Sequence, residues 1–310
     1  DNFTFVDSGY DPNFIPFPQR PTDSLAWRGI EKDVKTDNAW QYNFNIQRQL
    51  PSNFLVEGAY VGTKGTHLMA RRNFNPLVPA GFDPKNPKPG PLTRMYPGFA
   101  DNLVTAQNGD STFHSFQLTV KRRMGTGTLQ VAYTVAKTLS NGGEGARFFT
   151  SLYEITPWWD WSRAKGPANY DRPQRLSAVF TQDLPSPARN GFAKHVLNNW
   201  SVNGFIVVQS GTPLTVTNRD SGRNLGGGVV SPTAALFADV LPGQALITPG
   251  STKDNLTNYI NKAAWSKAAV GTVGSSGRGM FRGPGQWNLD FSLFKDFPLR
   301  ESLTLQFRSE

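Results

Sequence analysis

The feature that most constrains this chain is a strict alternation of bulky apolar residues with small or polar ones. In residues 40–47, Trp40, Tyr42, Phe44 and Ile46 alternate with Gln and Asn residues. Successive side chains of a β-strand point to opposite faces, so this segment predicts a strand with one apolar face and one amide face. A chain built from such segments is expected to form a sheet with two different sides.

The same alternation recurs in pairs of segments joined by short turns. Turns are predicted at Pro51-Ser52-Asn53 and at Met124-Gly125-Thr126-Gly127, because these residue types favour tight turns. Segments 176–181 and 200–209 add further strands, so that roughly ten strands are predicted in all. The other apolar rows are Phe54, Val56 and Tyr60; Phe116, Leu118 and Val120; Leu129, Val131, Tyr133 and Val135; Leu289, Phe291 and Leu293; and Leu303, Leu305 and Phe307.

Composition and charge exclude several other classes of protein. No run of about 18 apolar residues is present, which excludes a helical membrane protein. The chain has no cysteine, which excludes a disulfide scaffold, a cysteine-bound zinc and a thiol nucleophile. The formal net charge is +9, but the charges are scattered, and short basic runs more often flank strand ends than bind a partner. Nucleic acid is therefore not expected as a partner, and neither a cofactor nor a metal site is predicted.

Long connections alternate with the short turns. Residues 73–112, 139–174 and 219–285 are rich in turn-forming residues and are predicted as loops, and residues 1–36 as an irregular N-terminal segment. Loops of this length are unusual in compact soluble domains and usual in outer-membrane barrels. Residues 37–310 are thus predicted to be all-β, forming an antiparallel barrel of the outer-membrane type or a partial barrel. A soluble β-sandwich also alternates and stays open as an alternative at this point.

Several longer motifs follow one another along most of residues 38–310. They are NFNIQRQLP at 43–51, YVGTKGTHL at 60–68, HSFQL at 114–118 with KRR at 121–123, YTVAKTLS at 133–140, DRPQRL at 171–176, WSVNG at 200–204, QSGTPL at 209–214, and GPG at 283–285 with DFSLFKDF at 290–297. In this order they resemble the C-terminal barrel region of TonB-dependent receptors, in particular the Oar-like branch with a carboxypeptidase-regulatory-like N-terminal domain. The resemblance implies location in the outer membrane, contact with its lipid, and transport powered by a TonB-type energy-coupling partner.

The chain departs from that family in extent. A complete barrel of the family has about 22 strands, neither a plug domain nor a TonB box is recognised, and the last predicted strand stops at Arg308. We therefore expect this chain to be a fragment of a receptor barrel.

Two groups of residues are candidates for sites. Adjacent indoles beside a carboxylate can stack on a sugar ring or contact lipid headgroups, so the cluster Trp158, Trp159, Asp160 and Trp161 is the ligand-site candidate, with packing on the barrel mouth as the alternative. Charged residues at strand starts predict arginine–carboxylate pairing in a wet lumen. The candidates for this charge network are Glu57, Lys121, Asp171, Arg172, Arg175 and Arg308.

Two further function classes stay open beside the receptor. A soluble or secreted β protein can bind carbohydrate through the tryptophan-rich loop, and a hydrolase can use an Asp, Glu and His site. The histidines His67, His114 and His195 are far apart in sequence, so that no shared catalytic site is predicted. Residues 277–283 carry Arg282 where a dinucleotide-binding loop needs its third glycine, and we interpret this segment as a flexible basic loop.

Overall fold

The fold is almost entirely antiparallel β-sheet. The computed structural model describes residues 25–73, 75, 77–83, 85–86, 91–94, 96, 99–141, 161–218, 236–250, 258–269, 272, 274–300 and 303–309. Its helices there are 3-10 turns at Trp161–Ala164 and Lys262–Ala264 and an α-helix, α1, at Phe192–Leu197, and none of them is long and apolar enough to cross a membrane. Its strands are β1 (Leu25–Ile30), β2 (Asn38–Leu50), β3 (Phe54–Asn73), β4 (Leu77–Pro79), β5 (Leu92–Arg94), β6 (Phe99–Met124), β7 (Gly127–Ser140), β8 (Gly166–Pro167), β9 (Gln174–Asp183), β10 (Trp200–Gln209), β11 (Pro213–Leu214), β12 (Thr217–Asn218), β13 (Leu236–Phe237), β14 (Asp239–Val240), β15 (Trp265–Ser266), β16 (Phe281–Arg282), β17 (Gln286–Arg300) and β18 (Leu303–Ser309).

One large sheet contains all the long strands. It has 10 strands, of which β18-β17-β10-β9-β7-β6-β3-β2 are neighbours in this order and β1 and β8 attach to its side. We call these neighbouring strands the wall. Within the described residues the wall is not closed into a barrel, because β2 and β18 form its two edges. The prediction of an all-β, antiparallel fold is confirmed.

Strand register sorts the side chains onto two faces. Directly paired residues of an antiparallel ladder lie on the same face. One row across the wall joins Phe44, Tyr60, Phe116 and Val135, while the adjacent row consists of Asn45, Ala59, Gln117 and Thr134. The alternation read from the sequence therefore becomes an apolar face and a polar face of one sheet.

The two rims of the wall differ in their connections. Residues 51–53 and 125–126 are tight turns at one rim, which we call the short-turn rim. The connection 184–199 lies at the same rim and contains α1. The connections at the opposite rim are long, and in outer-membrane barrels the long loops face the outside of the cell.

The upper ends of β3 and β6 correct the predicted loop at 73–112. The β3–β6 ladder passes irregularities between Gly65 and Leu68 and between Leu68 and Ala70, and β6 begins at Phe99. We call this extension above Gly65 the arm. The sequence pattern misses it because residues 99–112 are mostly polar, so the strand forms through backbone pairing without an apolar row. The expectation of irregular structure at 1–36 is also wrong in part, since β1 pairs in parallel with β6.

Buried apolar side chains lie outside the wall proper. Those in the described residues are Ala70, Val78 and Ala106, in or beside the arm, and a second group in the long loops: Ala164, Ala168, Phe237, Ala238, Ala264, Ala268 and Phe281. We call the loop residues 161–173, 210–218, 236–248 and 258–283, in their described parts, the cap. The cap thus has a small interior of its own.

Candidate functional site

The polar face of the wall is lined mainly by amides and hydroxyls. Across the sheet, one row joins Gln47, Glu57 and Thr119, and another joins Asn203, Thr181 and Ser292. Amides and hydroxyls both donate and accept hydrogen bonds and carry no charge. Such a face can line a water-filled lumen, as in transmembrane β-barrels.

The structure brings Glu57 and Lys121 to the same polar face. Glu57 is half-buried and accepts a hydrogen bond from Asn45 Nδ2 at 3.2 Å. It pairs with Thr119, whereas Lys121 pairs with Leu55, so the two charged residues are diagonal neighbours. The described ion pairs, Lys64–Asp110 and Arg282–Asp171, include neither of them.

Arg308 lies near the other edge of the wall, on β18. Its guanidinium carbon is 5.2 Å from the centre of the Phe294 ring, and its Nε donates to Gln306 Oε1 at 2.6 Å. Gln306 in turn donates to Asp296 Oδ1 at 2.8 Å. Several strands separate this group from Glu57, so the charges proposed for one network belong to separate local groups.

Asp171 is the centre of an ion pair that the sequence did not reveal. Only 1% of its surface is exposed. Its Oδ2 is 2.5 Å from Arg282 Nη2, and its Oδ1 accepts a hydrogen bond from the Thr138 backbone at 2.6 Å. Arg282 Nη1 also donates to the Asp171 carbonyl at 3.0 Å. A buried carboxylate needs a cation and hydrogen bonds to both oxygens, and this one has them.

Arg172 and Arg175, which were predicted to join Asp171 in a charge network, contact other residues. Arg172 donates from Nη1 to the Ser210 carbonyl at 3.0 Å. Arg175 is exposed on β9, where it pairs with Thr134 and Gln209. Asp171 instead pairs with an arginine that lies 111 residues further along the chain, and a lumen charge network of the six candidates stays a prediction. No spacing rule connects positions that far apart.

Three arginines connect the loops of the cap. Arg163 Nη2 donates to the Ser276 carbonyl at 3.0 Å and also to the Gly274 carbonyl. Arg278 Nη1 donates to the Ser140 carbonyl at 3.1 Å, and Arg282 holds Asp171. Both arginines of residues 277–283, the segment interpreted from sequence as a flexible basic loop, thus have hydrogen-bond partners in the structure.

The cap rests on the upper end of the polar face. Thr138 and Ser140 belong to the polar row of β7 and are buried, whereas their neighbour Lys137 on the apolar side is exposed. Close backbone contacts hold the cap together. A Cβ at Gly211 would lie 1.8 Å from the Gly283 carbonyl oxygen. Only glycine allows two backbones to approach so closely.

The aromatic ligand candidate lies mostly outside the described residues. Trp158, Trp159 and Asp160 fall there, and Trp161 opens a 3-10 turn without a described side chain. Carbohydrate or headgroup binding by this cluster stays a prediction. Among the residues that the structure describes, no group of three or more His, Cys, Asp or Glu side chains could hold a metal ion.

The apolar face of the wall is exposed over its whole width. Phe44 is 65% exposed, Trp287 62% and Phe307 54%, on strands at both edges and between them. On β6 the apolar row is bounded by His114 and Arg122, which are eight residue steps or about 27 Å apart along the strand. A strand tilt of about 40° reduces this to a height of about 21 Å, close to that of the lipid-facing band of a membrane barrel.

Aromatic and basic residues mark the upper border of this band. Tyr60 Oη and His114 Nδ1 are 2.7 Å apart, and the Tyr42 ring lies 6.2 Å from that of Tyr60. Lys64 and Lys137 occupy the same border by register. Tyrosine rings with one wet end are typical of the interface between hydrocarbon and headgroups.

A groove of about 410 Å³ opens on the apolar face at Gly58. Its walls include the rings of Phe44, Tyr60 and Phe116. Because it faces the apolar side of the sheet and not the polar one, an acyl chain fits it better than a polar substrate.

Comparison with known proteins gives one family and a distant structural likeness. A family model described as "Outer membrane beta barrel domain" matches residues 3–310. The outer membrane transporter YddB from Escherichia coli is similar in structure at a TM-score of 0.45 and 9% identity, over 90% of this chain and 29% of that one. This chain thus spans less than a third of the length of the transporter. No curated protein matches the chain.

Proposed function

This chain belongs to the outer membrane β-barrel domain family, and from that premise we propose that it forms part of the barrel wall of a TonB-dependent receptor of the Oar-like branch. Family membership places the chain in the outer membrane, in contact with lipid. The observation that carries the proposal is the two-faced register of the wall: one face exposes Phe44 and Phe291, and the other presents Asn45 and Ser292. We retain the receptor over the soluble carbohydrate-binding protein, since a soluble protein does not expose an apolar face this large.

We propose that further strands complete the barrel. The edge strands β2 and β18 each leave one side of their backbone unpaired within the described residues. Unpaired backbone groups do not face hydrocarbon, because nothing there hydrogen-bonds to them. Residues 37–310 would then be the barrel portion, with β1 attached to it, and a full ring of about 22 strands would enclose a lumen wide enough for a plug.

In this proposal the polar face is the wall of the transport path and the cap forms part of its outer mouth. A polar solute would enter past the cap and move along amides such as Asn43 and Gln117. The TonB-type partner would act from the short-turn rim, on a plug contributed by the rest of the receptor. No residue is proposed to be catalytic. The incoming solute is proposed to contact the aromatic cluster, which consists of Trp158, Trp159, Asp160 and Trp161.

Single-cysteine labelling of the full-length receptor in membranes tests the wall assignment. The 310 residues of this chain contain no cysteine, and any cysteine elsewhere in the full-length receptor is first replaced by serine. Phe44→Cys and Asn45→Cys are adjacent and predicted to face lipid and lumen. A water-soluble maleimide should label position 45 at least about tenfold faster than position 44, because thiolate formation and reagent access both require water. Equal rates would contradict the assignment.

Coupling to a TonB-type partner needs a separate measurement. In cells, labelling at position 45 should change when the proton gradient is collapsed or the TonB-type partner is deleted, because plug movement alters access to the lumen. If labelling at 45 stays fast and unchanged in both conditions, the wall assignment survives and the TonB-dependent one is wrong.

A further inference from the structure

The connection between β9 and β10 differs from the other connections described at the short-turn rim. The connections 51–53 and 125–126 are tight turns, whereas 184–199 is long and carries α1. A short helix at this rim is not needed to reverse the chain. Its position and surface point to another role.

The connection is fastened to the membrane-facing side of the wall. Trp200 pairs with Lys295, and Lys295 pairs with Phe307, so all three belong to the apolar face. Trp200 Nε1 donates to the Val196 carbonyl at 2.7 Å, which ties the end of α1 to this face. Lys295 Nζ donates to the Asn198 carbonyl at 2.7 Å and is 4.3 Å from the centre of the Phe297 ring. As a result Lys295 is only 1% exposed, although Phe307 beside it on the same face is 54% exposed.

The connection also has a defined internal structure. Asn198 Nδ2 donates to the Ala188 carbonyl at 2.8 Å, and Asn198 Oδ1 accepts a hydrogen bond from the Ala188 backbone N–H at 3.0 Å. The Leu184 N–H donates to the Trp200 carbonyl at 2.8 Å, and the Asp296 N–H donates to the Asn199 carbonyl at 3.0 Å. These bonds fix α1 relative to the strands on both sides.

The fixed helix presents uncovered apolar side chains. Phe192 is 82% exposed, and Val196, one helical turn later, and Leu197 are exposed as well. Arg189 and Lys194, both exposed, provide positive charge beside them. Apolar residues on a helix with neighbouring basic residues are the signature of a segment that lies in a membrane interface.

We propose that α1 is an interfacial anchor in the periplasmic leaflet of the outer membrane. Phe192, Val196 and Leu197 enter the boundary between headgroups and acyl chains, while Arg189 and Lys194 meet the phosphates of anionic phospholipid. The proposed occupant is lipid because the helix is continuous with the apolar face of the wall and its charge is opposite to that of the headgroups. The inference needs the outer-membrane location and the rim orientation, and it is independent of TonB coupling.

Fluorescence quenching tests this anchor in the full-length receptor. The variants Phe192→Cys and, as the matched control at the same rim, Ser52→Cys carry an environment-sensitive dye in vesicles of phosphatidylethanolamine and phosphatidylglycerol. Lipids with a nitroxide near the headgroup should quench position 192 at least about twofold more than position 52. Aqueous iodide should do the reverse. Val196→Cys provides a second labelling position if Phe192→Cys does not insert.

The charge contribution is tested in the same system. Each basic residue near an anionic surface increases partitioning about fivefold. Arg189→Gln with Lys194→Gln should therefore reduce lipid quenching at 192 in vesicles with phosphatidylglycerol and leave it unchanged in vesicles of phosphatidylcholine alone. Equal iodide quenching at 192 and 52 would overturn the anchor. So would a dye at 192 that neither quencher reaches, since protein, such as a second copy, would then cover the helix.

Discussion

The wall and the cap differ in where they place their apolar side chains: the wall exposes them and the cap buries them. In the described residues the wall below the arm buries no apolar side chain, although rings such as Phe44 and Phe291 line its outer face. The cap instead surrounds Phe237 and Phe281 with protein and pairs a buried carboxylate with arginine. The apolar side chains of the wall thus contact lipid, whereas those of the cap are buried against other protein residues, as in a small soluble domain. Perturbations of one should leave the other largely unaffected.

The largest effect is expected for Arg282→Ala. It leaves Asp171 buried without its cation, which costs about 3–5 kcal/mol for a fully buried pair, and the lower end applies because Arg282 is 32% exposed. Hydrogen exchange of amides in 161–173 and 274–283 should accelerate, while heat-modifiable gel migration, which reports the wall, should not change. The control Arg175→Ala changes an exposed arginine nearby. If exchange in the cap is unaffected by Arg282→Ala, the ion pair does not hold the cap.

The next largest effect is expected when a charge is introduced on β17, where the apolar face should tolerate it less than the polar face. Phe291→Arg places a cation near the middle of the lipid-facing band, at a cost of about 2–4 kcal/mol. Ser292→Arg, on the adjacent residue, faces the polar side and should cost little. Urea unfolding of the full-length protein in vesicles measures both free energies. Similar losses for the two variants would mean that the faces are not distinct.

Glycine substitutions compare how tightly wall and cap are packed. Gly211→Ala in the cap drives a Cβ into the Gly283 carbonyl, and backbone overlap of this kind costs about 1–3 kcal/mol. Gly62→Ala in the wall places its Cβ against the outer end of the Tyr42 side chain, which is 44% exposed, and against no backbone atom among its three nearest neighbours. Cap hydrogen exchange should rise for Gly211→Ala, and the unfolding free energy should barely change for Gly62→Ala. The reverse order would contradict this assignment of packing.

The smallest effect is expected at the border of wall and arm. The Lys64 Nζ–Asp110 Oδ1 pair spans 3.4 Å, and both side chains are well exposed. Exposed pairs contribute less than about 1 kcal/mol and are screened by salt. Lys64→Met should lower the unfolding free energy slightly in low salt and not at all in high salt. A large, salt-independent loss would show that this border is as firmly built as the cap.

The wall follows most directly from the sequence, because side-chain alternation is a local property. The rows around Phe44, Phe116 and Leu289 follow directly from a period of two, and the ladder places them on one face. The arm was missed because the upper part of β6 has no such row. Its strand depends on backbone pairing with β3, which leaves no trace in residue type.

The cap was beyond prediction for a different reason. Arg282 and Asp171 meet across more than a hundred residues, and Arg163 binds carbonyls, which every residue has. The sequence pattern placed Asp171 beside Arg172 and Arg175 and gave no sign of its contact with Arg282. The burial of Lys295 was also not predicted. Its sequence position in an apolar row does not show that backbone carbonyls accept hydrogen bonds from its ammonium group.

The arginine clamps of the cap impose an order on assembly. Arg163, Arg278 and Arg282 each bind loop or strand backbone far away in sequence, and the loops they join lie on the side of the membrane opposite to the short-turn rim. A folded cap is too polar to pass through hydrocarbon. In the proposed orientation we therefore expect the loops to cross before they fold, and the clamps to close afterwards. With the cap outside the cell, as proposed above, the closed clamps would oppose withdrawal of the wall toward the periplasm.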